Sequence, residues 1–292
     1  MTVSEVPQTT PATPSKARRF FAHPLVWMPI GVVAISAAAA LADVLGSAFG
    51  SAGEAAGTLL GGVLALVLYR LVLRRIAGRQ TPELAFAWGR VARRALLGAA
   101  IGVGFIAVSV SLLVLLGVYT VTWQPVDAVG TVAAALAVSL GAAIVEELVF
   151  RGVAFRAIEE LAGRRVVLGR ALALGITAVL FGAAHMLNAG ATLWSGVSIT
   201  VEAGLMLGAA FLWKRDLWFV IGLHTAWNAA ERLLGIAVSG HRDPGIFVTT
   251  AHGPELLTGG AFGLEASIVP VLVGLALAVA MLLRSRATAA TR

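Results

Sequence analysis

Apolar positions along the chain run continuously, without the alternation of a half-buried strand. They fall into blocks about as long as a bilayer crossing, which takes roughly 20 helical residues. Eight blocks are read, at about 26–47, 56–74, 96–118, 129–150, 167–188, 195–213, 217–236 and 266–283. Only helices and closed barrels satisfy their backbone polar groups in lipid. Continuous apolar runs make strands unlikely, so the pattern predicts an all-α polytopic membrane protein of about eight transmembrane helices. Residues 1–22, rich in Pro, Thr and Ser, read as a disordered tail. Residues 23–292 read as one transmembrane domain, and Ala40-Leu41-Ala42 resembles a cleavage site in a run too long for a signal peptide. The basic segment 75–95, with interleaved apolar residues, suggests a helix lying on the membrane surface.

Composition agrees with this reading. Of 292 residues, 59% are hydrophobic and 13% charged, and the mean hydropathy is +0.90. A soluble domain carries about 25% charged residues. No cysteine is present, which excludes disulfides, a thiol nucleophile and Cys-ligated metal. The net charge of +7 needs no nucleic-acid partner. With the N-terminus inside and eight spans threaded, 20 of the 22 Lys and Arg residues fall on one side; Arg232 and Arg242 are the exceptions. That bias predicts both termini cytoplasmic, in what the Ala/Arg-rich style suggests is a bacterial plasma membrane. Trp27, Trp88, Trp213 and Trp218 near inner ends, with Trp123 and Trp194 near outer ends, read as interfacial belts.

The informative residues are those that lipid should exclude. A charged group inside a span costs roughly 2.5–3.5 kcal/mol on insertion scales and usually faces the bundle interior. The fourth block ends in Glu146-Glu147-Leu148-Val149-Phe150-Arg151. Glu147 and Arg151 are four apart and share a helix face, so they pair. Glu146 is turned about 100° away, with no cation at helical spacing, and is free for proton transfer. Phe181-Gly182-Ala183-Ala184-His185 brings an imidazole to the fifth block, and His224-Thr225-Ala226-Trp227-Asn228 places His and Asn on one face of the seventh. Each group alone also suits a buried ion network or an interhelical hydrogen bond. Together, a carboxylate and two histidines from three spans have the residue types for activating water, with or without zinc. There is no H-E-x-x-H and no G-x-S-x-G. Glu202, in the sixth block, is a candidate to line the same site or to make an interhelical hydrogen bond. His241 and His252, with Asp243 and Glu255, make a loop metal site conceivable.

The three motifs, E-E-x-x-x-R at 146–151, F-x-x-x-H at 181–185 and H-x-x-x-N at 224–228, resemble in order the signature of the CPBP family, the type II CAAX prenyl proteases and bacteriocin-processing relatives. The resemblance covers about 130–235. It implies an intramembrane endopeptidase acting on membrane-associated peptides or proteins. It carries over Glu146 and His185 as the water-activating pair and His224 and Asn228 as oxyanion or ligand groups. Glu147 and Arg151 carry over as supporting residues. Metal-dependent catalysis, with Zn²⁺ on His185 and His224, and metal-free glutamate catalysis both stay open. So do two other readings, a non-catalytic immunity or scaffold protein and a proton-coupled transporter. Unequal spans and the lack of repeats count against the transporter.

Depth tests the grouping. Glu146 lies 18 residues before Arg164 and His185 lies 20 after Arg165. At 1.5 Å per residue they sit about 27 and about 30 Å from that turn, provided the fourth helix continues past Arg151 to about residue 160. His224 is nine residues after Arg215, about 14 Å. It joins them only through a tilted helix or a deep connection near Trp213–Trp218.

Overall fold

The computed structural model describes residues 15–290, with side chains to residue 286. Helix α1 is Lys16–Phe21, so that part of the expected tail is helical, capped by Ser15; residues 1–14 lie outside the described residues. The long helices are α2 (Pro24–Ser47), α3 (Gly50–Ile76), α4 (Trp88–Leu115), α5 (Ala128–Leu161), α6 (Val166–His185), α7 (Leu193–Lys214), α8 (Leu217–Leu233) and α9 (Ile268–Ala290). About three quarters of the structure is helix.

Among the described residues, seven of these helices are long and apolar enough to cross a membrane. The eighth expected span exists as α8 but has 17 residues. At 1.5 Å per residue it measures about 26 Å. It carries His224, Thr225, Asn228, Glu231 and Arg232, and most of its residues are buried in the bundle. Its glycine seam with α4 explains how it fits there. A Cβ on Gly98 would stand 2.0 Å from the Phe219 carbonyl, and one on Gly102 would stand 2.3 Å from that of Leu223. Small residues let two backbones approach to van der Waals contact where lipid gives no hydrophobic drive.

The sequence foresaw no strands. Two of the connections form a two-stranded ribbon: β1 (Tyr119–Trp123) pairs antiparallel with β2 (Phe247–Ala251), Tyr119 opposite Ala251. Both lie between helices, and their Val, Thr and aromatic residues suit a pleated ribbon. The segment 75–95 is not a surface helix either: its ends belong to α3 and α4, and residues 77–87 form a strap between them. Gly78 adopts φ +69°, and only a single 3₁₀ turn follows at Pro82–Leu84. The strap is pinned instead: Arg156 and Tyr69 both donate to Glu83, Arg70 donates to the Leu84 carbonyl at 2.7 Å, and Arg79 pairs with Glu160 at 3.0 Å. Trp27 and Trp218 are buried, at 0% and 9% exposure, so they are core residues and not belt residues; Trp88 and Trp123 are exposed.

Candidate active site

Helix α5 is continuous from Ala128 to Leu161, which meets the condition for Glu146 and His185 to share a depth. Directly after Glu146 and Glu147 it widens into a π-turn, Leu148–Ala154, and α7 does the same at Thr200–Leu205. Such turns concentrate at functional sites because they shift side chains off the regular 3.6 spacing and loosen the carbonyl ladder. Arg151 uses the loosened carbonyls. Its Nη2 donates to Ala203 O and Gly204 O at 3.3 Å each, while Nη1 donates to Glu147 Oε1 at 2.9 Å. The guanidinium carbon lies 4.6 Å from the Phe181 ring centroid. The ion pair expected from the i, i+4 spacing is present and both partners are fully buried.

Helix α8 carries the other half. Its start is set by Asp216, 1% exposed, which caps Phe219 N and accepts from Arg90 at 2.9 Å on α4. Arg215, just before it, is bonded to Glu159 of α5. The turn between α7 and α8 is therefore docked on the end of α5, where Arg215 shares a hollow with Gly163 and Val166 beside the Arg164–Arg165 turn. His224 Nδ1 lies 2.9 Å from Glu147 Oε1, and its Nε2 lies 3.8 Å from Glu146 Oε2. A carboxylate can only accept from Nδ1, so the second ring nitrogen is the one turned to Glu146. Glu146 is thus not isolated, as helical spacing alone suggests; its neighbour comes from another helix.

A cavity of about 400 Å³ joins these groups. Glu146, His185, His224 and Asn228 all line it, and its rim includes the exposed Asp43 on α2. Glu147 is fully buried behind it, whereas the Glu146 side chain keeps 29% exposure. His185 Nδ1 is 2.8 Å from the Phe181 carbonyl. A carbonyl only accepts, so Nδ1 carries the proton and Nε2 keeps a lone pair. Glu146 Oε2 and Asn228 Oδ1 are buried without a hydrogen-bond partner. Such groups cost free energy unless something else satisfies them.

Glu265, in the turn before α9, is a lining residue that the motifs do not announce. It is 3% exposed, and its Oε2 accepts from Ser239 N at 2.6 Å and Ser239 Oγ at 2.7 Å. Burial holds its carboxyl above the ordinary range, against the opposing pull of Ser239, His185 and His224. Its only sequence signal is a lone acid just before an apolar block. Glu202 neither lines the cavity nor makes a hydrogen bond among the described residues; it is buried against Gly274 of α9.

Among the described residues, no three His, Asp or Glu side chains gather into an ion-holding group. This applies to the loop pair His241 and His252 as well as to His185 and His224, each of which has Nδ1 engaged elsewhere.

The helical bundle and its inward-facing polar groups define an integral membrane protein with a polar interior cavity. The model of the Rce1-like family, type II CAAX prenyl endopeptidase, matches residues 128–230. That stretch holds all three motifs, and the match supports the resemblance to the CPBP family of membrane proteases. No curated protein and no solved structure matches the chain.

Proposed function

We propose that the chain is an intramembrane endopeptidase that hydrolyses peptide bonds of membrane-associated proteins or peptides, with Glu146 and His185 activating water. The observation that carries this reading is the cavity lined jointly by Glu146, His185, His224 and Asn228 from three helices.

Each role follows from the groups' chemistry. Water held between the Glu146 carboxylate and the lone pair on His185 Nε2 gives its proton to Glu146 as its oxygen attacks the carbonyl carbon. The oxyanion that forms meets the Asn228 amide N–H and His224 Nε2. With Nδ1–H donated to Glu147, the His224 ring donates from Nε2 only when doubly protonated. Glu147 is the counter-charge for that state, and Arg151 holds Glu147 in place. On collapse the C–N bond breaks, and Glu146 returns its proton to the departing nitrogen. The products are a carboxylic acid and an amine, with one water consumed. No step runs through a metal.

The test is Glu146→Gln, purified beside wild type and offered the same membrane-peptide extract. Cleavage by the Gln variant falls to background while its thermal transition is kept, and the activity of wild type does not respond to chelators. A Gln variant with full function favours a non-catalytic scaffold. Activity that chelators abolish and zinc restores overturns the metal-free part.

A further inference from the structure

At the basic end of the molecule, away from the cavity described above, five arginines converge on one hollow. Arg18 and Arg19 come from α1, Arg74 and Arg75 from the last turn of α3, and Arg79 from the strap that follows. The hollow has a volume of about 350 Å³, and among the described residues that line it there is no Asp or Glu. Arg79 is paired with Glu160 beside it. At an effective dielectric of 20, two unit charges 8 Å apart repel by about 2 kcal/mol. Guanidiniums forced around one space gain most from an anion placed between them, and planar N–H pairs suit phosphate oxygens.

The surroundings say which anion. Phe20 and Phe21 on α1 are 60% and 45% exposed. Leu25 at the start of α2 and Leu71 one turn before Arg74 are 58% and 48% exposed. A phosphate bound here would therefore sit beside bare apolar side chains, at the end of two membrane-crossing helices. A helix that pairs aromatic residues with Lys16, Arg18 and Arg19 has the make-up of an interfacial anchor. A general excess of basic residues on one membrane face explains that arginines are present, but not that they line one hollow edged by phenylalanine. We propose that this pocket binds the phosphate of an anionic phospholipid headgroup, with the acyl chains lying along the exposed faces of α2 and α3.

The test titrates the detergent-purified full chain with phosphatidylglycerol or phosphatidylcholine and counts bound lipid by native mass spectrometry. Arg74 and Arg75 are both exposed, so R74Q/R75Q should fold, and its thermal transition checks this. R93Q/R164Q removes the same charge from exposed positions outside the pocket. The expectation is tighter binding of phosphatidylglycerol than phosphatidylcholine. R74Q/R75Q should weaken it by about 30-fold, from roughly 1 kcal/mol per basic residue and tenfold per 1.4 kcal/mol. R93Q/R164Q should change it by less than about twofold, and inorganic phosphate at millimolar concentration should leave the lipid bound. An unaltered affinity in R74Q/R75Q overturns the site. Equal loss in both double variants reduces it to a diffuse positive surface. Displacement by inorganic phosphate shows a soluble anion to be the occupant and overturns the lipid assignment.

Discussion

Replacing Arg151 with Met exposes how the site is held. Arg151 is fully buried and bonded to Glu147 at 2.9 Å and to two carbonyls of α7. Met fills much of the same space but leaves Glu147 buried with His224 as its one partner among the described residues. Removing one member of a buried ion pair costs about 3–5 kcal/mol, most of it from the uncompensated charge left behind. The cost is therefore tied to Glu147, and Glu147→Gln in the same chain should return a large share of it. The pair of substitutions should be non-additive by at least about 1 kcal/mol, as groups in one network are. Unfolding in mixed detergent, followed by tryptophan fluorescence for wild type, both single variants and the double, measures the coupling. Arg151→Met within about 1 kcal/mol of wild type, or strict additivity, would refute the reasoning.

Three further outcomes follow from the geometry. Gly102→Leu drives a side chain into the Leu223 carbonyl, where even a Cβ would stand 2.3 Å away. It should destabilise by about 1–3 kcal/mol or more and displace His224, which thermal unfolding and a cleavage assay read together. His224→Ala and Asn228→Ala, each removing one oxyanion donor, should lower kcat by about 10²–10³ with KM little changed, as steady-state kinetics on a cleaved peptide would report. Because burial raises the Glu265 carboxyl above its ordinary range, the folded state keeps that proton where the unfolded state has lost it. Its contribution to stability therefore falls as pH rises from the ordinary carboxylate range through the folded value. Glu265→Gln removes that loss, so its stability relative to wild type should grow with pH across this window; a pH-independent difference counts against the assignment.

Much of this molecule was legible because lipid makes polar residues expensive. Glu146, Glu147, Arg151, His185, His224 and Asn228 stand out against apolar runs, and helical spacing alone pairs Glu147 with Arg151. The depth arithmetic needed one continuous helix through Arg151, and α5 provides it. What spacing could not supply was contact between helices. The partner of Glu147 from α8, the docking of Arg215 on Glu159 and the anchoring of Asp216 by Arg90 all join residues more than 50 positions apart. The last depends on how closely α8 seats on α4, which small residues allow but do not announce. Glu265 escaped notice for a related reason. It sits in a turn between helices, and only the fold brings it to the cavity that the two histidines line. The segment 75–95 misled because its arginines and apolar residues have an amphipathic composition, while most of those arginines belong to the ends of α3 and α4, and Gly78 and Pro82 break the stretch between them.

The central claim is that Glu146 performs hydrolysis inside the membrane. Its most direct measurement compares new peptide termini in membranes of cells carrying wild type or Glu146→Gln at equal abundance, with cleavage run in ¹⁸O-water. The account predicts a set of new C-termini, each with ¹⁸O, that is present with wild type and absent with the Gln variant. The same labelled termini at the same yield from both proteins would contradict it.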